Sequence, residues 1–164
     1  MRALLLENIH PDGAAALEKA GFVVETMDRA LEGEELAARL EGVHVLGIRS
    51  KSQVTAAHLR EADSLLAVGA FCIGTDQIDL AAATDTGIAV FNAPYSNTRS
   101  VVELALAEVI ALTRGLVQKN TMMHEGVWDK SAAGAHEVRG RALGIVGYGN
   151  IGAQLSVLAE ALGM

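Results

Sequence analysis

Short apolar runs recur along the first ninety residues, and stretches with apolar positions at helical spacing separate them. The runs lie at residues 3–6, 22–24, 43–48, 65–68 and 88–91. Strands that alternate with helices in this way are typical of a parallel β-sheet covered by helices. The sequence therefore predicts an α/β fold with five strands in its first part.

Helix signals lie between the apolar runs. Asp12 is expected to cap a helix that ends at Gly21, and residues 34–40 are expected to form the next helix. Thr55 and Asp79 are expected to begin two further short helices, because Thr and Asp are common N-cap residues.

The pattern changes after Pro94. Residues 101–116 are nearly all apolar, with Glu103 and Glu108 among the few polar interruptions. A helix that is apolar on most sides must be buried on most sides. It is shorter than the roughly 18 apolar residues of a membrane span. We therefore expect a domain boundary near 94–100 and burial of the helix between domains or against a second subunit.

A glycine motif follows the irregular stretch 126–141. Residues 142–146 are expected to form a strand that runs into Gly147-Tyr148-Gly149-Asn150-Ile151-Gly152 and then into a helix. G-x-G-x-x-G between a strand and a helix is typical of dinucleotide binding. Gly147 would allow the tight turn, Gly149 would let the backbone approach a pyrophosphate, and Gly152 would allow close helix packing. The alternative is an ordinary tight turn, since 17 glycines make chance matches easy.

Composition narrows the class of protein. The chain is 51% hydrophobic, and its net charge is −7 with the 13 Lys and Arg scattered, so we expect no nucleic-acid partner. Neither a signal peptide nor a membrane span is evident, so no membrane partner and a cytoplasmic location are expected.

Cys72 is the only cysteine, and the histidines at 10, 44, 58, 124 and 136 lack metal-site spacing, so no metal is expected.

Three further stretches carry a resemblance. They are Gly-Ile-Arg-Ser-Lys at 47–51, Phe-Cys-Ile-Gly-Thr-Asp at 71–76, and Phe-Asn-Ala-Pro-Tyr-Ser-Asn-Thr-Arg-Ser at 91–100. With Gly-x-Trp-x-Lys at 126–130 and the glycine motif, they follow the order of motifs in the D-2-hydroxyacid dehydrogenase family. The chain resembles this family over its whole length, and within the family it is similar to the phosphoglycerate dehydrogenases.

The resemblance implies two α/β domains. Residues 1–96 would form a flavodoxin-like or Rossmann-like substrate-binding domain that lacks its usual C-terminal return. Residues 97–164 would form the start of a Rossmann NAD-binding domain, with a dimerisation helix at 101–116. The acidic residue expected about 20 positions beyond the glycines would lie past Met164, so the residues present do not distinguish NAD from NADP.

The resemblance also assigns roles to individual residues. The substrate-binding residues would be Arg49, Ser50, Lys51, Gly74, Asn97 and Lys130. The residues that bind NAD would be Ile73, Val101, Gly147, Tyr148, Gly149, Asn150, Ile151 and Gly152. Alternatives stay open: Arg49 and Lys51 as a solvated pair, Lys130 as a loop lysine paired with Asp129, and Ile73 and Val101 as ordinary core residues.

The implied activity is the NAD-dependent oxidation of 3-phospho-D-glycerate to 3-phosphohydroxypyruvate, the first step of phosphorylated L-serine biosynthesis, in a homodimer or homotetramer. The family's catalytic Arg, Glu and His would lie beyond Met164, and His124 and His136 match no catalytic position. The chain is therefore expected to be truncated and inactive alone. Alternatives are a dehydrogenase of glycerate, hydroxypyruvate or lactate, and a nonenzymatic NAD-sensing or dimerisation module.

Overall fold

Five parallel strands form one sheet in the first part of the chain, in the order β2-β1-β3-β4-β5. The computed structural model describes all of residues 1–164. The strands are β1 (Arg2–Leu5), β2 (Val23–Thr26), β3 (Val45–Ile48), β4 (Ala67–Ala70) and β5 (Ala89–Asn92). All five predicted strands are confirmed, with ends shifted by at most two residues.

Four helices connect these strands. They are α1 (Pro11–Lys19), α2 (Gly33–Leu40), α3 (Ala56–Glu61) and α4 (Leu80–Thr86). Thr55 and Asp79 cap α3 and α4 as predicted, and the Asp79 carboxylate accepts the N–H of Ala82 at 2.9 Å. The prediction of Asp12 as a cap is wrong: His10 caps α1, because Pro11 favours the first helical position and moves the start forward.

The core of this sheet lies on its central strands. Leu4 on β1, Leu46 on β3 and Val68 on β4 are at most 1% exposed, and the edge strands β2 and β5 are more open. Central strands that are buried on both faces read as continuous apolar runs, which is why the sequence located them. Each fully buried Leu contributes about 1.5–3 kcal/mol to stability.

The chain folds as two compact units, which we call the N-terminal unit (residues 1–96) and the C-terminal unit (residues 97–164). The C-terminal unit contains α5 (Thr98–Thr113), α6 (Leu116–His124) and α7 (Asn150–Ala161), and α5 packs against α7. No helix of the chain combines the length and the apolar character that crossing a membrane requires.

Two predictions about the C-terminal unit need correction. The helix predicted over 101–116 begins at Thr98 and ends at Thr113, because Gly115 adopts a left-handed conformation (φ 62°) that interrupts it. Residues 142–146 join no sheet, since no other strand of the chain pairs with them. Residues 126–141 are irregular, as predicted.

Candidate functional site

The carboxyl ends of β1 and β3 form the first candidate site. These strands are neighbours in the sheet, but the chain leaves β1 for β2 on one side and leaves β3 for β4 on the other. Ligands of open parallel sheets bind where the strand order reverses in this way, beyond the carboxyl ends of the strands. The segment after β1 and the segment 49–52 after β3 meet at this point.

A buried carboxylate joins these two segments. Glu7 accepts hydrogen bonds from the backbone N–H groups of Arg49 (3.1 Å), Lys51 (2.9 Å) and Ser52 (2.9 Å). Its own N–H donates to the carbonyl of Arg29 at 3.1 Å. Glu7 is 7% exposed, and sequence reasoning did not single it out.

The surroundings of Glu7 keep it ionised. Burial, the largest single influence, acts to raise its pKa, but the hydrogen bonds from Ser52, Lys51 and Arg49 together outweigh it and hold the pKa below its ordinary value of 4.5. Glu7 and Asn8 both have positive φ (61° and 54°), an uncommon conformation for residues other than glycine. Such backbone costs on the order of 1–3 kcal/mol and clusters at functional sites.

A second buried polar side chain holds the other side of Arg49. The Gln77 amide Nε2 donates to the carbonyl of Arg49 at 2.7 Å and to the carbonyl of Gly74 at 3.3 Å. The Cys72 thiol lies 3.3 Å from the same Nε2 and donates to the Gly74 carbonyl at 3.2 Å. Gln77 is 5% exposed, so this network ties the loop after β3 to the loop after β4.

The side chains of Arg49 and Lys51 are exposed, and neither takes part in a salt bridge. Beside Arg49 lies a pocket of about 400 Å³, lined by Asn8, Ile9, His10, Pro11, Arg49 and Phe71. Cationic side chains without carboxylate partners at a strand end are suited to a small anion. Ser50 is exposed between them.

Phe71, which follows β4, forms one wall of this pocket. Its ring lies over two glycines of the sheet: a Cβ at Gly69 would lie 3.3 Å from the ring, and one at Gly47 would lie 3.1 Å from it. These glycines therefore provide the space that the ring occupies.

The predicted pair Ile73 and Gly74 lies in the same loop. Ile73 is half-buried, and its carbonyl accepts the amide of Asn92 at 2.8 Å. Gly74 is exposed, and a Cβ there would lie 2.6 Å from a carboxylate oxygen of Asp76. Gly74 is linked to Arg49 through Gln77, whose amide donates to the backbone carbonyls of both residues.

The glycine motif forms the second candidate site, in the C-terminal unit. Gly147 has φ 92°, which permits the tight turn. A Cβ at Gly152 would collide with the Gly147 carbonyl, whereas one at Gly149 would meet nothing within 4 Å. The start of α7 has no side-chain cap, so its first N–H groups are free for an anion. The three glycines fit the distinct tasks expected of a pyrophosphate-binding turn.

The remaining residues of the motif surround this turn. Tyr148 is exposed, and its hydroxyl forms a 2.7 Å hydrogen bond with the hydroxyl of Ser156 on α7. Asn150 begins α7, and Ile151 is half-buried behind it. The hydroxyl end of Tyr148 is therefore tied to α7 by one hydrogen bond.

The other predicted site residues of the C-terminal unit lie on α5 and after α6. Asn97 is the N-cap residue of α5 without a side-chain capping bond, and Val101 is on the first turns of the helix, 36% exposed. Lys130 is exposed and has no ion pair. Asp129 pairs with Lys119 at 2.8 Å, so the Lys130–Asp129 pair considered from sequence is wrong.

Sequence reasoning missed Glu7 and Gln77. The available signal for Glu7 was an acidic residue directly after a buried strand, at the sheet edge where ligands bind. Gln77 carried no such signal: its contact with the Arg49 carbonyl spans 28 residues, and its other partners, Gly74 and Cys72, lie in its own loop.

Comparison with known proteins places this geometry in a family. The family profile described as D-isomer specific 2-hydroxyacid dehydrogenase, catalytic domain, matches residues 3–161. The chain therefore belongs to the D-isomer specific 2-hydroxyacid dehydrogenase family, and the resemblance noted from its motifs is confirmed.

Curated relatives are similar over the whole chain. It is 51% identical over 164 residues to the D-3-phosphoglycerate dehydrogenase of Dictyostelium discoideum, covering 100% of this chain and 40% of that protein. It is 47% identical over 165 residues to the D-3-phosphoglycerate dehydrogenase of Escherichia coli K12, again covering 100% and 40%. The chain thus spans about 40% of the length of these relatives.

Solved structures share the fold. A protein from Thermus thermophilus matches with a TM-score of 0.89 and 29% identity over 100% of this chain and 54% of that chain. The NAD-dependent formate dehydrogenase of Staphylococcus aureus, in complex with NAD, matches with a TM-score of 0.81 and 25% identity, covering 99% and 54%. The α/β fold class is therefore confirmed.

Proposed function

We propose that the protein to which this chain belongs oxidises 3-phospho-D-glycerate to 3-phosphohydroxypyruvate with NAD, as the first step of phosphorylated L-serine biosynthesis. The observation that carries the proposal is a pair of cations without ion-pair partners in the loop after β3: Arg49, which lines a pocket, and Lys51, two residues further along the chain. Whole-chain identity near 50% to proteins named D-3-phosphoglycerate dehydrogenase supports the substrate.

The loop after β3 would hold the anionic substrate. Arg49 offers a planar fork that suits a carboxylate or phosphate, and Lys51 adds a point charge two residues further along the loop. Ser50 and Gly74 would border the bound acid, and the family resemblance assigns further substrate contacts to Lys130 and Asn97. A strongly anionic acid benefits most from such a site, because both of its charged ends can meet a cation.

The glycine turn would hold the cofactor. Gly147, Gly149 and Gly152 with the free start of α7 fit a pyrophosphate. The family resemblance assigns contacts with the nicotinamide to Ile73 and Val101. Bound NAD would supply the acceptor for the hydride that leaves C2 of the hydroxy acid, and the hydroxyl proton would pass to a base. Within this chain, the residues named here bind and orient the two reactants, and neither His124 nor His136 is assigned as that base.

We further propose that the protein acts as a homodimer or homotetramer in which α5 and α6 are covered by a second copy. Large apolar side chains on and after α5 are exposed in the single chain: Leu104, Leu112, Leu116 and Val117 are each at least 59% exposed. Several large apolar side chains exposed on neighbouring helices are what an interaction site would cover.

The test is a comparison of substrates. The complete product of the gene would be assayed for NAD-dependent oxidation of 3-phosphoglycerate, D-glycerate and D-lactate, with NADP as the rival cofactor. We expect the highest kcat/KM with 3-phosphoglycerate and NAD. Preference for an unphosphorylated acid would contradict the substrate, and the isolated 164-residue chain, assayed beside it, is expected to show no turnover.

A further inference from the structure

The backbone of Arg49 is held on both sides by buried polar side chains. Its N–H donates to the Glu7 carboxylate at 3.1 Å, and its carbonyl accepts the Gln77 amide at 2.7 Å. Both side chains are more than nine-tenths buried and come from different segments, one after β1 and one before α4. Arg49 is therefore fixed at its base, while its side chain is exposed.

Glu7 leaves one N–H of the loop unused. It takes the N–H groups of Arg49, Lys51 and Ser52, but the N–H of Ser50 has no acceptor within the chain. The loop therefore turns three donors toward Glu7 and leaves the N–H of the exposed Ser50 without an acceptor, between the exposed Arg49 and Lys51. A free N–H between two cationic residues suits an anion.

The Glu7 carboxylate repels a nearby substrate anion less strongly than its distance alone would suggest. Three N–H dipoles point at the carboxylate, so much of its charge is compensated locally. Glu7 and Asn8 both have positive φ, a backbone conformation that persists only when its surroundings fix it.

We propose that Glu7, assisted by Gln77, is a positioning residue that sets the direction of Arg49 and the free Ser50 N–H toward the substrate anion. The inference rests on the proposed function, because it takes the loop at 49–51 as the site of the acid. It assigns Glu7 no contact with substrate or cofactor. Loss of Glu7 should therefore weaken binding of the acid and leave the affinity for NAD unchanged.

The first experiment is Glu7→Gln in the complete gene product, with Glu25→Gln as the matched control. Glu25 lies on edge strand β2 and pairs with Arg39 at 2.6 Å, so the same change there is remote from the loop. We expect Glu7→Gln to raise the KM for 3-phosphoglycerate about tenfold or more, as loss of charge-assisted hydrogen bonds does. The KM for NAD should stay within about twofold in both variants.

A double-mutant cycle separates positioning from general stability. If Glu7 acts through Arg49, Glu7→Gln should add little to the loss already caused by Arg49→Ala, because the group it positions is gone. Additive losses in the cycle would overturn the proposal. Equal rises in the KM values for acid and NAD would do so as well, since they indicate a general disturbance of the fold.

A residue-resolved hydrogen-exchange measurement keeps the proposal testable if Glu7→Gln folds poorly. In the unaltered protein the N–H groups of Arg49, Lys51 and Ser52 should exchange slowly and that of Ser50 quickly; fast exchange at all four would overturn the inference. The milder Glu7→Asp should retain charge and give an intermediate KM.

Failure of the proposed function has a different signature from failure of this inference. If the unaltered protein prefers another 2-hydroxy acid, the substrate proposal fails, and the same cycle is measured with the preferred acid. Coupling between Glu7 and Arg49 would then still support positioning. Absence of coupling with an acid that the protein does oxidise would reject it.

Discussion

Similar sequence patterns give different structures in the two units. Residues 3–6 and 142–146 are both short apolar runs that precede a turn, yet Leu4 is 1% exposed and Val146 is fully exposed. The first run has neighbours in β2 and β3, and the second has none in the chain. A strand needs partners for its backbone groups, so the apolar pattern alone is not sufficient.

The glycine turn nevertheless forms in the C-terminal unit. Gly152 lies so close to the carbonyl of Gly147 that a Cβ at position 152 would collide with it. Both residues belong to the same short motif, so this turn forms without a sheet around it. The comparison therefore separates structure that depends on distant partners from structure that a few consecutive residues specify.

The largest expected effect lies in the core of the N-terminal unit. Leu46→Ala should lower the free energy of unfolding by about 2–5 kcal/mol, because it removes fully buried methyl groups. Leu112→Ala, at a site that is 77% exposed, should change it by less than about 0.5 kcal/mol in the single chain. Urea denaturation measures both. A large loss at Leu112 only at high protein concentration would show that association covers that face.

The next largest expected effect is the loss of activity when Arg49 is replaced. Arg49→Ala should lower kcat/KM for 3-phosphoglycerate about 100-fold, the cost expected for removing one partner of a charged hydrogen-bonded pair. Arg60→Ala, an exposed arginine of α3 without an ion pair, should leave it within about twofold. Steady-state kinetics of the complete gene product decides this, and equal effects of the two variants would contradict the assigned site.

The glycine turn allows two substitutions that sharpen the comparison. Gly152→Ala should destabilise the protein by about 1–3 kcal/mol, because the added methyl group collides with the Gly147 carbonyl. Gly149→Ala should leave thermal stability nearly unchanged, because its Cβ would meet no atom, but should weaken NAD binding, since that Cβ would enter the space proposed for the pyrophosphate. Thermal melting with and without NAD distinguishes them. Normal NAD affinity in Gly149→Ala would contradict the cofactor site.

The smallest effect concerns acid sensitivity. Because the pKa of Glu7 is held below 4.5, its stabilising contribution is fully present above that value and is lost as the pH falls through the lowered pKa. The difference in unfolding free energy between the unaltered protein and Glu7→Gln should thus be greatest above about pH 5 and shrink in more acidic solution. Urea denaturation across this pH range measures it; a difference that grows toward acid would contradict the direction.

What the sequence predicts well is structure with a strong local signal. The strands of the N-terminal unit, the caps at Thr55 and Asp79, the tight turn at Gly147 and the close packing at Gly152 all follow from residue type and spacing. Errors arose where two local signals pointed to different residues. Asp12 is a common type of N-cap, but Pro11 favours the first helical position, so α1 begins at Pro11 and its N-cap is His10.

The candidate site was predicted only in part. Arg49 and Lys51 were found through the family resemblance, but the contacts that hold their loop join residues 42 to 45 positions apart. Such contacts depend on the order of strands in the sheet. Nothing in the spacing of Glu7 within its own segment indicates a partner after β3.

The ring of Phe71 has a consequence for the order in which substitutions can accumulate during evolution. At Gly69 the ring is the nearest obstacle to a methyl group, so alanine there becomes acceptable once a smaller residue replaces Phe71. At Gly47 the side chain of Leu5 also blocks the methyl group, and a smaller residue at 71 is not enough. Alanine at Gly69 is thus conditional on one neighbouring side chain, whereas alanine at Gly47 is opposed by three, those of Leu5, Ile9 and Phe71.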